Sequence, residues 1–591
     1  MNRATPHVPA RLRAYHRKDE PTPMRWKVQD FKGIREAEVT LDEGTVTFLV
    51  GTNSSGKSSL AQSLLLTAQS HYDRGPMVLN GPLVQLGSAE DVIREPLDGE
   101  KTQMRFSVAS DSDEEFLALN AGYEVSGTAN TASLEVSAVE VKFQTEPNLS
   151  PLSIRFSRDH ARTDDLRLAR RFGTASNYLH LKQIAEGRRA LRSYVGMDGL
   201  RPTELVILYK EEQLAALFEK SMREALTQRS VSSPDSLYAM VAVQRALMSA
   251  ANSRSAPVKL RNAMRGVANG MHRPGGIYEE WEKTDERIRE EVLSILTRRR
   301  TAKPYIRLPI ELLGNNYYFS AGDPFEYEVY NSLGSTMKAL GALSKEIDDL
   351  VTSIQYLGPL RDEPRVVWGQ WNQLARGLPV GRRGETTAAV LARSGARRVN
   401  YCGPDGEMRS ETIRSAVDDW LGYLQIGEGA TTHDRGKLGV GLRVSHAGRQ
   451  RDLTSVGVGV SQALPIVVAL LTAPPRAKLF LEQPELHLHP AVQARLADFL
   501  ARARPDVCVV AETHSDSLIT RVRLRVAQAS LDAKRVNIVF VEPSGTGSVF
   551  RRIEVSEHGD LSEWPEGFLA GPVEDVRELF MHNARRRKSR G

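Results

Sequence analysis

The stretch "LVGTNSSGKSSL" (49–60) decides the fold. It fits the pattern G-x-x-x-x-G-K-[ST] with Gly51, Gly56, Lys57 and Ser58. The apolar run "TVTFLV" before it predicts a buried strand, and "LAQSLLLTAQ" after it predicts a helix. A glycine-rich loop between a strand and a helix wraps phosphate groups with backbone N–H donors. The stretch therefore predicts a P-loop nucleotide site in an α/β fold.

Two side chains of this loop have the chemistry that a nucleoside triphosphate requires. Lys57 is expected to neutralise the β- and γ-phosphates, and Ser58 is expected to bind Mg²⁺. The cofactors implied are ATP and Mg²⁺. The candidate ATP-binding residues of the loop are Gly51, Thr52, Asn53, Ser54, Ser55, Gly56, Lys57, Ser58 and Ser59.

The stretch "KLFLEQPELHLHP" (478–490) is a second apolar strand that ends in an acid. Glu482, beside the phosphates, is expected to hold Mg²⁺ directly or through water. In most such strands a second acid follows at once and prepares the attacking water. Here Gln483 follows, and the next carboxylate, Glu485, comes only after Pro484. Either Glu485 or Gln483 can prepare the water; we favour Glu485, because the proline forces a bend towards the γ-phosphate.

Two further segments carry candidate site residues. The apolar strand in "DVCVVAETHSDS" (506–517) ends near His514, which can reach a γ-phosphate and orient a water. The segment "DLTSVGVGVSQALPIVVALL" (452–471) is a glycine-rich turn that leads into an apolar helix. Ser461 lies near the start of that helix, where free N–H groups suit an anion.

Composition limits the class of protein. The 591 residues predict two to four domains. The chain has two cysteines, far apart, which favours a reducing cytoplasm over a disulfide framework or a cysteine zinc site. No apolar stretch reaches the roughly 18 residues that a membrane span requires, so no membrane partner is expected. The positive charge is concentrated at 1–23 and 583–591, so it is weak evidence for nucleic acid, which remains a possible partner.

Changes in the hydrophobic pattern along the chain predict the domain organisation. Alternating stretches such as "RWKVQDF" and "ASLEVSAVEVKF" predict an antiparallel first lobe, and "TELVILYKEEQLAALFEKSMREALTQ" (203–228) predicts a helix. The predicted segments are a disordered basic extension (1–23), ATPase lobe I with the P-loop (24–158), a mainly helical insertion (159–304), ATPase lobe II (305–582) and a basic tail (583–591).

Taken together, the motifs resemble those of ABC-type ATPases of the SMC and RecF kind, often called AAA family ATPases. The OLD-like members and the ATPase subunits of antiphage systems such as Septu are the most similar. The resemblance rests on the order and joint occurrence of "DFKGIREAEVTL", "LVGTNSSGKSSL", "YLGPLRDEPR" (356–365), "VGVGVSQALP", "LEQPELHLHP" and "AETHSDSLI". It implies a two-lobed ABC-type P-loop ATPase head with an inserted, mainly helical domain.

The resemblance also implies roles for particular residues. "GVSQ" matches a degenerate ABC signature, so Ser461 is expected to touch the γ-phosphate bound to a second subunit in an ATP-sandwich homodimer. His514 corresponds to the switch histidine. Leu488 to Pro490 corresponds to the D-loop, an interpretation we prefer to a metal site formed by His487 and His489.

The implied activity is slow ATP hydrolysis that drives a switch in bacterial genome maintenance or phage defence, with a separate effector protein. Two alternatives stay open. One is a non-hydrolysing scaffold with ATP as a static clamp, for which Gln483 is the distinguishing feature. The other is the ATPase subunit of a transporter, against which the large insertion argues.

Overall fold

The structure is a computed structural model. It describes residues 24–72, 77–94, 103–111, 116–126, 133–144, 152–158, 162–181, 192–227, 234–253, 256–270, 273, 276–301, 305–310, 333–368, 377–545, 547–563 and 565. The predicted extension 1–23 and the basic tail 583–591 lie outside the described residues.

Twenty-one strands and thirteen α-helices lie in the part of the chain that the structure describes. The strands are β1 (Met24–Phe31), β2 (Ile34–Thr40), β3 (Val46–Gly51), β4 (Met104–Asp111), β5 (Phe116–Ser126), β6 (Ser133–Gln144), β7 (Leu152–Ser157), β8 (Asn177–Leu181), β9 (Arg192–Asp198), β10 (Arg201–Leu208), β11 (Tyr305–Pro309), β12 (Ile354–Leu357), β13 (Arg398–Cys402), β14 (Met408–Thr412), β15 (Gly429–Asp434), β16 (Val440–His446), β17 (Arg449–Asp452), β18 (Lys478–Glu482), β19 (Cys508–Glu512), β20 (Val536–Ser544) and β21 (Gly547–Ile553). The helices are α1 (Lys57–Tyr72), α2 (Thr163–Phe172), α3 (Glu211–Leu226), α4 (Pro234–Ala251), α5 (Val258–Asn269), α6 (Gly276–Lys283), α7 (Glu286–Thr301), α8 (Gly334–Ser353), α9 (Thr387–Ser394), α10 (Ile413–Leu424), α11 (Val458–Thr472), α12 (Pro490–Arg502) and α13 (Asp516–Ala527).

A parallel sheet forms the centre of the molecule. Its order is β20-β3-β19-β18-β12, and each strand is parallel to its neighbours. The strands β3, β18 and β19 are short apolar runs, as expected for a sheet covered on both faces. Because all five strands run the same way, Gly51, Glu482 and Glu512 come to one edge of the sheet, where α/β proteins bind ligands.

An antiparallel extension continues this sheet on one side. Within the described residues the sheet has sixteen strands, and β21 and β2 join the parallel part to a run from β1 and β4 through β11. The strands predicted from alternation are confirmed: "RWKVQDF" lies in β1 and "ASLEVSAVEVKF" spans β6. Strand β5 was not predicted, since Asn120 and Gly122 interrupt its alternation.

The predicted helix over 203–228 is wrong in its first part. Residues Arg201–Leu208 form β10, which pairs with β9 and β11, and the helix begins only at Glu211. The apolar residues of Arg201–Leu208 lie in a strand inside the sheet, so pairing with the neighbouring strands overrides the local helical pattern. Strands therefore occupy part of the segment 159–304, and helices α3 to α7 follow them. The boundaries of the insertion stay a proposal.

Two large hydrophobic cores lie on opposite faces of the parallel sheet. On β3, Leu49 belongs to the core that contains α1, α8 and the antiparallel strands, whereas Phe48 belongs to the core that contains α10, α11 and α12. Successive side chains of a strand point to opposite faces, which accounts for this division. The P-loop edge of the sheet thus lies between two packed lobes, as the predicted fold class requires.

Candidate nucleotide-binding site

Close backbone approach determines the shape of the P-loop. Gly51 has φ of +142°, and a Cβ there would lie 2.0 Å from the carbonyl oxygen of Val541. Gly56 has φ of +99°, and a Cβ there would lie 2.4 Å from the Oγ of Ser548. Only glycine adopts these conformations without strain in so little space. The loop that joins β3 to α1 is therefore held in place by β20 and β21.

Lys57 is a buried cation that is bound to the loop itself. Its Nζ donates to the carbonyl oxygens of Gly51 (3.1 Å) and Thr52 (2.6 Å). Burial lowers the pKa of Lys57, and the charges of Glu512 and Glu485 oppose that decrease. Phosphate oxygens are stronger acceptors than carbonyls, so the ammonium can exchange these partners for a bound phosphate.

Glu482 and Glu512 are neighbours at the ends of β18 and β19, where the two residues are paired in register. Burial, and next the charge of Glu512, raise the pKa of Glu482 to about 7. Burial also raises the pKa of Glu512, against a hydrogen bond from Ser58 and the charge of Lys57. Two carboxyl groups this close and this buried favour a bound cation.

Glu485 returns to the same edge after a tight turn. Gln483 has φ of +44°, in the left-handed region, and its N–H donates to the carbonyl oxygen of Glu512 at 2.8 Å. Glu485 is 8% exposed, and its Oε1 accepts from the backbone N–H of His514 at 2.8 Å. Burial raises the pKa of Glu485. The predicted bend is present, and the roles of Glu485 and Gln483 in preparing water stay predictions.

His514 lies two residues after the end of β19. Its backbone N–H donates to Glu485, and the residue is exposed. Burial and the charge of Lys57 lower the pKa of His514, which favours the neutral imidazole. A neutral ring can accept a hydrogen bond from water. The switch role of His514 remains a prediction that this position supports.

Ser461 lies in the first turn of α11. Its hydroxyl donates to the carbonyl oxygen of Val458 at 2.8 Å, and the residue is 6% exposed. A Cβ on Gly459 would lie 3.5 Å from a methyl group of Leu488. The predicted signature therefore packs against the predicted D-loop. Contact of Ser461 with a second subunit's nucleotide stays a prediction.

His489 has a structural task that needs no metal. Its Nδ1 accepts from the N–H of Ala491 at 3.2 Å, which caps α12, and Pro490 occupies the first turn. Among the described residues no group of three or more His, Cys, Asp or Glu side chains could hold a metal ion. The D-loop interpretation of Leu488 to Pro490 stays a prediction.

Three residues at the site were not assigned from the sequence. Glu512 precedes Thr513, and the signal that could have identified it is the one used for Glu482, an acid that ends an apolar strand. Tyr356 donates its hydroxyl to Oε1 of Glu482 at 2.9 Å, and Arg361 approaches the carbonyl oxygen of the same residue. Both lie in "YLGPLRDEPR", which the sequence identified as a motif without giving it a role.

The residues present fit a magnesium–nucleotide complex. Three buried polar atoms at this edge have no hydrogen-bond partner in the described part of the chain: Ser55 Oγ, Glu485 Oε2 and Glu512 Oε2. Orphaned buried polar groups are rare, and a ligand or ion is one reason for them. The available donors are carboxylate, hydroxyl and backbone N–H groups, which suit Mg²⁺ and phosphate. Ser58 and Glu482 remain the candidate Mg²⁺ ligands.

Comparisons with known proteins agree with this geometry. Residues 311–520 match the family described as "AAA domain, putative AbiEii toxin, Type IV TA system", and residues 531–579 match "Protein of unknown function (DUF3696)". No curated protein matches the chain.

Solved structures of SMC heads also align with the chain. The Smc head from Pyrococcus furiosus, bound to the C-terminal domain of ScpA, is 10% identical, with 90% of this chain and 96% of that chain covered and a TM-score of 0.33. The SMC head from Thermotoga maritima is 8% identical, with 90% and 100% covered and a TM-score of 0.32. Residues 311–520 are therefore similar to an AAA domain, and the strand–loop–helix geometry around Lys57 is that of a P-loop nucleotide-binding fold.

Proposed function

We propose that the protein binds ATP, hydrolyses it slowly and dimerises when ATP is bound. The observation that carries the proposal is the edge of the parallel sheet. There a buried Lys57 lies within electrostatic reach of Glu485 and Glu512, and each of these carboxylates has a buried oxygen without a partner in the described residues. A bound nucleotide with Mg²⁺ would supply partners for these buried polar groups.

The P-loop binds the phosphates in this scheme. Backbone N–H groups at the start of α1 and the Lys57 ammonium hold the β- and γ-phosphates. Ser58 and Glu482 hold Mg²⁺, and Ser58 is itself bound to Glu512. The ion, when bound, neutralises charge on the phosphates and orients them.

Glu485 acts as the general base. Its pKa is raised by burial, which suits a base that works near neutral pH. Its Oε1 is fixed by His514, so Oε2 is left for the attacking water. Gln483 cannot accept a proton, although an amide can orient water as in small GTPases. His514 then contacts the γ-phosphate or the water.

Dimerisation buries the surface around the signature helix. Val458, three residues before Ser461, is 55% exposed, and Leu360 on the neighbouring 358–368 loop is 59% exposed. Exposed apolar side chains such as these are available for burial when a second subunit covers this face. In the closed dimer this face covers the nucleotide of the second subunit, and Ser461 donates to its γ-phosphate.

The biological use is a switch in bacterial genome maintenance or phage defence that acts on a separate effector. The resemblance of the motifs and the toxin-related description of the matched AAA family support this use. Nucleic acid is a possible partner, because α2 exposes Arg167, Arg170 and Arg171. The cluster 297–300 contributes less, since Arg300 is buried and its guanidinium donates to the carbonyl oxygen of Tyr305. In the described residues no helix is long and apolar enough to cross a membrane.

A second candidate is a scaffold that binds ATP without hydrolysing it. Gln483 favours it, because a neutral side chain stands where many ATPases have the catalytic acid.

The deciding experiment measures ATP binding and phosphate release by the purified protein with Mg²⁺, with and without DNA. We expect Lys57→Ala to abolish binding and the parent protein to turn ATP over slowly. Binding without any turnover would establish the scaffold, and no binding at all would refute both candidates.

A further inference from the structure

Tyr356 contacts the Glu482 side chain from the neighbouring strand. Strand β12 is parallel to β18, with Tyr356 paired to Phe480. The ring is 2% exposed, and its hydroxyl donates to Oε1 of Glu482 at 2.9 Å. A buried hydroxyl that donates to a carboxylate fixes both the position and the rotamer of that carboxylate.

Arg361 contacts the main chain of the same glutamate. It lies four residues after the end of β12 and is 6% exposed. Its Nη1 and Nη2 approach the carbonyl oxygen of Glu482 at 3.5 and 3.4 Å, and Nη1 also donates to the carbonyl oxygen of Gly358. One short segment of chain, 356–361, therefore holds both the side chain and the backbone of Glu482.

The end of β18 needs such support. The next residue, Gln483, has a left-handed φ of +44°, which costs free energy for a residue that is not glycine. Glu512, the register partner on β19, repels the Glu482 carboxylate. Neither the local backbone nor the charge of Glu512 favours one orientation of Glu482, whereas the positive charges of Arg382 and Arg361 attract it.

We propose that Tyr356 and Arg361 are positioning residues that hold Glu482 in the orientation that binds Mg²⁺ with the nucleotide. The inference rests on the proposed ATPase function and assigns a role to the "YLGPLRDEPR" segment. Partners of this kind, which orient a metal ligand without touching the metal, typically change metal affinity by about 10–100-fold when they are removed.

The principal test is Tyr356→Phe, which keeps the ring and removes only the hydroxyl. We expect the Mg²⁺ concentration for half-maximal nucleotide binding, measured with a fluorescent ATP analogue, to rise by about tenfold. Nucleotide affinity without Mg²⁺ should stay at the parent value, because Lys57 and the P-loop are unchanged. Arg361→Lys, which cannot reach two acceptors in a fixed fork, should act in the same direction.

The matched control is Tyr401→Phe. Tyr401 is also fully buried, and its hydroxyl donates to Asp419 at 2.6 Å in lobe II. Tyr401→Phe should change neither the Mg²⁺ concentration for half-maximal nucleotide binding nor the nucleotide affinity without Mg²⁺. Equal loss of affinity with and without Mg²⁺ in Tyr356→Phe would indicate a merely structural role and overturn the inference. An unchanged Mg²⁺ requirement would also overturn it and leave the proposed function standing. A parent protein that binds no nucleotide would overturn both.

Discussion

Replacing Glu485 with Gln tests the proposed general base separately from the rest of the site. The substitution keeps the shape of the side chain, and Oε1 can still accept from the N–H of His514, now at 2.8 Å. Only the charge and the ability to take a proton are lost. A general base contributes about 10²–10⁴-fold to a rate, so we expect turnover to decrease by at least about a hundredfold. Nucleotide binding should persist, because Lys57 keeps its contacts.

The same change should not weaken the fold at alkaline pH. Burial raises the folded-state pKa of Glu485 above its unfolded value, so the folded protein binds the proton more tightly. The free energy of unfolding therefore decreases as the pH rises from the unfolded pKa through the folded pKa. Above the folded-state pKa of Glu485 the parent protein carries the cost of a buried charge, whereas the amide carries none. The variant's melting temperature should equal or exceed the parent's at pH 8, and any advantage should shrink towards pH 5.

Phosphate release and melting temperatures of the nucleotide-free protein between pH 5 and 8 measure both effects. The matched control is Glu411→Gln, since Glu411 is exposed on β14 and lies outside the site. It should change neither quantity. Parent-like turnover in Glu485→Gln would refute the base assignment, and Gln483 would become the candidate. A melting temperature below the parent's at pH 8 but not at pH 5 would refute the reasoning about buried charge.

Three further outcomes follow from particular contacts. Gly56→Ala should reduce nucleotide binding and melting temperature, because Gly56 has φ of +99° and the added Cβ would lie 2.4 Å from a serine hydroxyl. The control is Gly266→Ala, in a helix with open space around it, which should stabilise the protein by about 0.5–1 kcal/mol in the same thermal-denaturation assay. Ser461→Arg should abolish the ATP-dependent dimer that light scattering detects in a Glu485→Gln background, and a dimer of normal affinity would contradict the role of the signature. Gln493→Leu removes a side-chain amide that donates to the carbonyl oxygen of Leu488 (2.8 Å) and accepts from the hydroxyl of Ser515 (2.6 Å). We expect turnover to fall more than nucleotide affinity does, and an equal loss of both would indicate simple unfolding.

The P-loop and the strand ends were predictable because their signals are local. A glycine pattern after an apolar run fixes a strand, a loop and a helix in sequence order, and β3 and α1 lie where that pattern puts them. The parallel strands β18 and β19 were also recognisable, since each is a short apolar run that ends in a polar residue.

The remaining features depend on pairing between distant segments. Residues Arg201–Leu208 have a helix-compatible pattern, yet they form a strand because β9 and β11 offer partners on both sides. The contact of Tyr356 with Glu482 joins residues 126 positions apart, and no periodicity encodes it. Local sequence patterns identify the candidate P-loop and strand-end residues. Contacts such as that of Tyr356 with Glu482 arise only when distant segments pair in the sheet.

The geometry of the turn at "EQPE" (482–485) gives a physical reason for Gln483 at the position where many ATPases have an acid. Gln483 adopts a left-handed conformation and donates its N–H to the carbonyl oxygen of Glu512, so the chain turns out of the strand directly after Glu482. Pro484 has no N–H, so it supplies no donor that the turn would have to satisfy. The turn then brings Glu485 back to the backbone of His514. A Glu at 483 would share the turn's geometry and add a further charge beside two carboxyl groups whose pKa values are already raised. If Glu485 is the base, as proposed, a neutral residue at 483 with an acid two positions later provides that base without the extra repulsion.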